Sequence, residues 1–267
     1  MTTLADAFAE LRSQKRCGFV PFIVAGDPDL ETTAELIKVL AVTGATAIEV
    51  GVPFSDPIAD GPVIQRAAQR ALSRGVTLSA IFKMIKTAAE ASRAVPLVLF
   101  SYYNPILQFG LRKFADETAR CDIAGVLVTD LPPEAAEPLR LLLHDRGIDL
   151  IFLVAPTTGD ARLRQIGKLA SGFIYAISRT GVTGTHRELR DESAALVARI
   201  RQVSDLPVAV GFGITKREQA RAVCRYADAA VVGSRLVAEI EGFTAGKRWR
   251  RAAVVERVAE CAREFVS

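Results

Sequence analysis

The chain of 267 residues contains few of the residues that build metal sites and disulfide frameworks. Its four cysteines are Cys17, Cys121, Cys224 and Cys261, and its two histidines are His144 and His186. No two cysteines lie close together in the sequence, so the pattern predicts neither a disulfide framework nor a zinc site. We therefore expect the cysteines to be small buried hydrophobic residues, and we expect no bound metal.

Long hydrophobic runs are also missing, although 50% of the residues are hydrophobic. No apolar stretch reaches the roughly 18 residues that a membrane span needs. The N-terminal segment MTTLADAFAELRSQKR lacks the apolar centre of a signal peptide. The sequence therefore predicts a soluble, cytoplasmic protein that does not bind a membrane.

Charge of one sign is not concentrated anywhere except near the C-terminus. The chain has 34 Lys and Arg against 30 Asp and Glu, for a net charge of +4. The one dense basic patch surrounds Trp249 and comprises Lys247, Arg248, Arg250 and Arg251. Such a patch is also typical of nucleic-acid contacts, but it precedes a predicted helix. We interpret it as a solvated helix end and expect no nucleic-acid partner.

Apolar, β-branched segments alternate with helix-like segments along the whole chain. The predicted strands are 18–26, 46–51, 96–103, 124–130, 148–156, 172–178, 206–213 and 228–234. Helical spacing of Leu4, Ala7, Phe8 and Leu11 predicts an amphipathic helix that caps one end of the sheet. Nearly continuous apolar strands separated by helices indicate a parallel sheet covered on both faces. We therefore predict an α/β fold in which residues 1–267 form a single (β/α)8 TIM barrel domain.

Two connections between predicted strands are longer than the others. The connection after strand two contains a loop with Asp56 and Asp60, followed by an extra helical stretch at about 63–93. The connection after strand six contains RTGVTGTHREL. Active sites of β/α barrels lie where strands end and loops begin, so both long loops are predicted to lie on the active face.

Glu49 lies in the middle of the second predicted strand. Because side chains alternate along a strand, it points away from the face that Ile48 and Val50 share. The nearest basic residue in the sequence is Lys38, so no local partner explains a carboxylate in this apolar run. A buried, unpaired charge is costly, so either Glu49 faces a cavity or the assignment of this strand is wrong.

Glycines concentrate after predicted strands six, seven and eight. They are Gly181, Gly184, Gly211, Gly213 and Gly233, the last followed by Ser234. Glycine lets backbone N–H groups approach an anion closely, and a helix N-terminus adds partial positive charge. Because the loops after strands seven and eight are the usual phosphate site of such barrels, the pattern predicts a phosphorylated substrate.

No predicted strand contains a lysine, which argues against Schiff-base chemistry in the barrel. Acid–base work by carboxylates remains, with Glu49 and Asp60 as the candidate catalytic residues. Asp130 and Tyr175 are further polar groups at strand ends. Asp130 is equally consistent with a structural cap before Pro132, and Tyr175 with a partly buried core aromatic.

Five segments together resemble the tryptophan synthase alpha subunit family. They are FVPFIVAGDPD, IEVGVPFSDPIADGP, SYYNPI, ISRTGVTG and VGFGI, in this order along the whole chain. The resemblance implies retro-aldol cleavage of indole-3-glycerol phosphate to indole and glyceraldehyde 3-phosphate, without a cofactor in this chain. It also implies an α2β2 heterotetramer in tryptophan biosynthesis, whose beta subunit holds pyridoxal phosphate and receives the indole.

The resemblance further implies roles for individual positions. Glu49 is expected to be the general acid/base, with a raised pKa, and Asp60 to hold the indole N–H, with an ordinary pKa. Phosphate binding is expected at Gly184, Gly213, Gly233 and Ser234. The indole pocket is expected to comprise Phe22, Phe100, Leu127, Tyr175 and Phe212. A lid is expected at 179–185, with Arg179, Gly181 and Thr183, and the partner face at 53–57, 104–106 and near Pro132.

Three other interpretations stay open at this point. A barrel with a phosphate site also suits another sugar-phosphate reaction, such as isomerisation or decarboxylation, although this leaves SDPIADGP unexplained. The chain is also compatible with a free-standing lyase of the same family that works without a partner. A third interpretation is a non-catalytic subunit that activates a beta partner, against which the presence of both acids argues.

Overall fold

The computed structural model describes residues 2–92, 95–177, 186–211, 213–244, 246 and 248–266. Its strands are β1 (Gly18–Val24), β2 (Ile48–Gly51), β3 (Leu97–Ser101), β4 (Gly125–Val128), β5 (Asp149–Val154), β6 (Ile174–Ile177), β7 (Val208–Gly211) and β8 (Ala229–Val232). Its helices are α1 (Leu4–Ser13), α2 (Leu30–Thr43), α3 (Pro62–Ser73), α4 (Leu78–Ser92), α5 (Tyr103–Phe109), α6 (Leu111–Arg120), α7 (Glu137–His144), α8 (Asp160–Leu169), α9 (His186–Arg201), α10 (Arg217–Val223), α11 (Ser234–Thr244) and α12 (Arg251–Arg263). A short 3-10 helix, Pro133–Ala135, precedes α7.

The strands form a closed parallel barrel in sequence order, β1 to β8, with β8 pairing back onto β1. The predicted TIM barrel is therefore confirmed, and each predicted strand is present. The observed strands are shorter at one or both ends, and the described residues that follow their carboxyl ends belong to loops or helices. This is the end of the barrel at which the candidate site lies.

The first helix, α1, closes the amino-terminal end of the barrel. Thr3 and Asp6 form a reciprocal capping box that starts the helix. One face of α1 then buries Leu4 completely and Phe8 almost completely, with the Phe8 ring 5.6 Å from that of Phe173. Burial of each side chain contributes about 2 kcal/mol to stability. Because both side chains belong to the cluster inside the barrel, the predicted capping role of this helix is confirmed.

The connection after β2 contains the predicted extra helical stretch, which the structure divides into α3 and α4. Helix α3 begins at Pro62, a residue suited to the first helical position because its missing N–H needs no partner there. A second additional helix was not predicted: α5 follows β3 directly and precedes α6. Both additions extend the active face next to β2 and β3.

Buried side chains form two clusters separated by the barrel wall. The outer cluster lies between strands and helices and includes Ile48, Val50, Leu99, Val126 and Ile174. The interior cluster lies inside the barrel and includes Leu4, Phe8, Val20, Phe22, Ala47, Val98, Phe100, Leu127, Phe173 and Tyr175. The alternation predicted for β2 is therefore confirmed, with Ile48 and Val50 outside and the face of Glu49 inside.

The prediction that the cysteines are all small buried hydrophobic residues is wrong for two of them. Cys17 and Cys224 form a disulfide with a Cα–Cα distance of 5.5 Å, across a sequence separation of 207 residues. Cys17 precedes β1 and Cys224 follows α10, so pairing of β1 with β8 brings them together. Cys121 and Cys261 are buried and not disulfide-bonded, as predicted.

In the basic patch near the C-terminus, Arg248, Arg250 and Arg251 lie at the start of α12, which begins at Arg251, and Lys247 lies outside the described residues. The Arg251 guanidinium lies 3.9 Å from Asp29 and 4.0 Å from Glu31, at the beginning of α2. The interpretation of this patch as a helix end is therefore confirmed. Among the helices in the described ranges, none is both long and apolar enough to cross a membrane.

Candidate active site

Glu49 points into the barrel from the centre of β2. It pairs in register with Phe22 of β1 and Val98 of β3, both members of the interior cluster. The residue is fully buried, and within the described part of the chain neither carboxylate oxygen has a hydrogen-bond partner. Burial raises the pKa of Glu49 to about 8, as predicted, because an apolar environment disfavours the charged form.

Aromatic and aliphatic side chains make up the interior cluster, to which the two register neighbours of Glu49 belong. The structure brings four of the five predicted indole-pocket residues into this cluster: Phe22, Phe100, Leu127 and Tyr175. The rings of Phe22 and Phe100 meet edge to face at 5.1 Å, an arrangement that aromatic pairs prefer. The fifth predicted residue, Phe212, lies outside the described residues.

Asp60 lies on the loop between β2 and α3. Its backbone N–H donates to the Pro57 carbonyl at 3.0 Å, and its own carbonyl accepts from the Gln65 side chain at 2.8 Å. Burial raises the pKa of Asp60 to about 6, and a hydrogen bond from Tyr102 opposes this shift. The expectation of an ordinary pKa was wrong, because partial burial of the Asp60 carboxylate disfavours its charged form.

Tyr175 of β6 interacts electrostatically with both Glu49 and Asp60. Its pKa is raised well above the usual value, first by burial and then by the charges of Glu49 and Asp60. Both carboxylates therefore lie close enough to Tyr175 to interact with it electrostatically. A Cβ atom on Gly211 of β7 would overlap the Tyr175 hydroxyl, so glycine at this position leaves room for the phenol.

The predicted phosphate site is partly described. Gly213 is exposed and has a φ of +91°, a conformation that favours glycine. Gly233 lies against Phe22, and Ser234 begins α11, whose first turn contains no acidic residue to repel an anion. Gly184 lies outside the described residues, as do the lid residues Arg179, Gly181 and Thr183.

Asp130 follows β4 and contacts the start of α5. Its carboxylate accepts a hydrogen bond of 2.7 Å from the backbone N–H of Tyr103, at the first turn of α5. The residue is exposed. Asp130 therefore caps the start of α5, whereas the cap was predicted before Pro132, where the described residues show no side-chain cap; a catalytic role stays a prediction.

Two sets of contacts around the site were missed by the sequence analysis. Tyr102 donates from its hydroxyl to the Asp60 carboxylate at 3.2 Å. Arg70 of α3 forms two hydrogen bonds of 2.8 Å with the buried Asp27 and one of 2.8 Å with Glu241 of α11. The motifs SYYNPI and GDPD, which contain Tyr102 and Asp27, were recognised in the sequence. Their partners were not, because the residues of these pairs lie 42 to 171 positions apart in the chain. No group of three potential metal ligands occurs in the described ranges.

Comparison with known proteins agrees with this geometry. A family model described as tryptophan synthase alpha chain matches residues 8–266. The tryptophan synthase alpha chain of Gluconacetobacter diazotrophicus is 48% identical over 90% of this chain and 88% of its own length. That of Neisseria meningitidis serogroup B is 43% identical over 98% of this chain and 100% of its own.

Solved structures give the same result. Tryptophan synthase subunit alpha from Legionella pneumophila superposes with a TM-score of 0.89 at 32% identity, covering 99% of this chain and 97% of that one. A chain of the tryptophan synthase a2b2 complex of Pyrococcus furiosus superposes with a TM-score of 0.84 at 37% identity, covering 93% and 97%. This chain therefore belongs to the tryptophan synthase alpha chain family.

Proposed function

We propose that this protein is a carbon–carbon lyase that cleaves indole-3-glycerol phosphate into indole and glyceraldehyde 3-phosphate, as the alpha subunit of a tryptophan synthase. The observation that carries the proposal is Glu49, a fully buried carboxyl group without a described hydrogen-bond partner, which lies inside the barrel beside Phe22. A group of this kind exchanges a proton near neutral pH because its pKa is about 8. Among the described residues, Glu49 forms no hydrogen bond that would stabilise the fold. We therefore assign it a role in proton transfer.

The proton transfers can be assigned to the two acids. Below pH 8, Glu49 is protonated and gives its proton to the indole carbon that bears the side chain. The ring nitrogen then becomes positively charged, and an ionised Asp60 stabilises this charge through the indole N–H. The resulting Glu49 carboxylate takes the proton of the hydroxyl next to the breaking bond. The carbon–carbon bond electrons return to the ring, and the hydroxyl carbon becomes the aldehyde.

The phosphate of the substrate would bind at the carboxyl ends of β7 and β8. We assign it to the backbone N–H groups near Gly213 and Gly233, to the start of α11, and to the Ser234 hydroxyl. This assignment is supported by the positive φ of Gly213 and by the acid-free first turn of α11. We propose that the chain needs no cofactor of its own for these steps, because acid–base groups suffice for them.

We further propose a tryptophan synthase beta subunit, with its pyridoxal phosphate, as the partner in an α2β2 assembly. The loop that carries Asp60 also carries Ile58, which is 86% exposed, and Leu107 of α5 is 50% exposed. Both residues follow the carboxyl ends of neighbouring strands, β2 and β3, and exposed apolar side chains are typical of protein interfaces. We place the assembly in the cytoplasm, since a charged phosphate ester does not cross membranes unaided.

The test is to measure indole release from indole-3-glycerol phosphate by the purified chain, alone and with the beta subunit of a relative. Cleavage that accelerates on mixing supports the proposal. Rapid cleavage without acceleration would instead indicate a free-standing lyase. No cleavage in either case, together with activation of the beta subunit, would indicate a non-catalytic subunit.

A further inference from the structure

The side chain of Tyr102 reaches from the end of β3 to the neighbouring loop that carries Asp60. Only 3% of Tyr102 is exposed. Its ring packs on Phe54, with the ring centroids 5.1 Å apart. Its hydroxyl accepts a hydrogen bond of 2.9 Å from the Ala59 N–H and donates one of 3.2 Å to the Asp60 carboxylate. A single buried side chain therefore contacts this loop near both of its ends.

The direction of these hydrogen bonds is fixed by chemistry. A backbone N–H can only donate, so the Tyr102 oxygen accepts from Ala59 and its own proton is free to point at Asp60. Burial, and after it the Asp60 carboxylate, raises the pKa of Tyr102 above its usual value. The phenol therefore stays protonated and remains a donor to Asp60 at every pH at which the enzyme would work.

We propose that Tyr102 is a positioning residue of the cleavage reaction, whose hydroxyl holds the Asp60 carboxylate in place at the mouth of the barrel. Tyr102 acts through Asp60 and need not touch the substrate. The inference rests on the proposed function, because holding Asp60 matters only if Asp60 stabilises charge on the indole ring. The contact with Ala59 adds a second constraint, since it fixes the residue directly before Asp60.

The contact has a measurable electrostatic consequence. The hydrogen bond from Tyr102 lowers the pKa of Asp60 against the larger effect of burial. Within the described residues, Asp130 also acts on Tyr102, and Tyr175 interacts with both Asp60 and Glu49. Replacing Tyr102 by phenylalanine leaves these other groups in place, so a change in the titration of Asp60 would report the lost hydroxyl.

The decisive variant is Tyr102→Phe, which removes the hydroxyl and keeps the ring against Phe54. We expect the acid limb of kcat/KM for indole release to move up by about one pH unit, a loss of roughly tenfold below pH 6 that shrinks above pH 7. The matched control is Tyr103→Phe, which removes the next hydroxyl along the chain, from a ring that packs against the outer cluster. We expect the wild-type profile for this control.

A second measurement separates this inference from the proposed function. The Asp60 carboxyl is titrated by carbon-13 NMR without substrate, and its pKa is expected to rise in Tyr102→Phe and not in Tyr103→Phe. If that pKa rises but wild-type protein releases no indole, the contact with Asp60 is supported and the proposed reaction is rejected. An unchanged Asp60 titration, or an equal loss of kcat/KM at every pH, overturns the role of Tyr102.

Discussion

Two carboxylates, Asp27 and Glu49, are both fully buried but have opposite surroundings. Asp27, just after β1, accepts two hydrogen bonds from Arg70, which also binds Glu241. Glu49, inside the barrel, has no hydrogen-bond partner among the described residues. Burial raises the pKa of both, but Arg70 opposes the shift at Asp27, whereas nothing opposes it at Glu49.

The difference separates a structural acid from a candidate catalytic acid. The bidentate ion pair with Arg70 favours the charged form of Asp27 and joins the β1 loop to α3, and through Glu241 to α11. Helix α3 follows the Asp60 loop, and helix α11 begins at Ser234. The Asp27–Arg70–Glu241 network therefore connects the helix next to Asp60 with the helix at the proposed phosphate site. Glu49 instead remains protonated until about pH 8 and is free to exchange its proton.

The largest expected effect comes from removing the proton of Glu49. In Glu49→Gln we expect indole release to fall by roughly 10³-fold or more, because the amide is a similar shape but cannot transfer a proton. Binding of the phosphorylated substrate should persist, as measured by calorimetry. The matched control is Asp149→Asn, at the opposite end of the barrel on β5. Similar turnover in Glu49→Gln and wild type would contradict the role of Glu49.

The next largest effect is expected at Asp27 and concerns stability. In Asp27→Asn the free energy of unfolding should fall by about 3 kcal/mol, because Arg70 loses a buried, charged partner. Asp116→Asn breaks a comparable hydrogen-bonded pair with Arg146 that is partly exposed, and should cost at most about 1 kcal/mol. Denaturant unfolding checks both. Equal costs would show that burial does not distinguish the two pairs.

A smaller effect should appear in the pH dependence of stability. The folded pKa of Glu49 is about 8 and its ordinary value 4.5, so the folded state holds the proton more tightly than the unfolded state. Its contribution to stability is therefore fully present below about pH 4.5 and is lost as pH rises towards 8. We expect wild type to lose on the order of 2 kcal/mol more than Glu49→Gln across this range. The free energy of unfolding is measured for both proteins at several pH values, and the same pH dependence in both would contradict this expectation.

The smallest predicted effect concerns Ser234, on a helix that the Asp27 network supports. In Ser234→Ala we expect KM for indole-3-glycerol phosphate to rise about tenfold with little change in kcat, because one hydrogen bond to the phosphate is lost. Inhibition by inorganic phosphate should weaken in parallel. Ser73→Ala, at the exposed end of α3, is the control. Unchanged KM and unchanged inhibition would remove Ser234 from the phosphate site.

Several features of the barrel could be predicted because they depend on local sequence. Alternation around Glu49 placed this residue inside the barrel, and the spacing of Leu4 and Phe8 indicated the capping helix. The resemblance then supplied the roles of Glu49 and Asp60. Asp130 was placed correctly at a strand end. Its hydrogen-bond partner, the Tyr103 N–H, was not predicted, because it belongs to α5 in the preceding connection of the chain.

The sequence by itself determined the order of strands and helices, the inward face of β2 and the family, because periodicity and motifs are properties of consecutive residues. Only the tertiary structure decided which distant residues meet. Cys17 joins Cys224, Arg70 joins Asp27, and Tyr102 joins Asp60, because closure of the barrel and packing of the loops bring them together. The pKa of Asp60 belongs to the same category, since it depends on how much solvent the folded loop excludes.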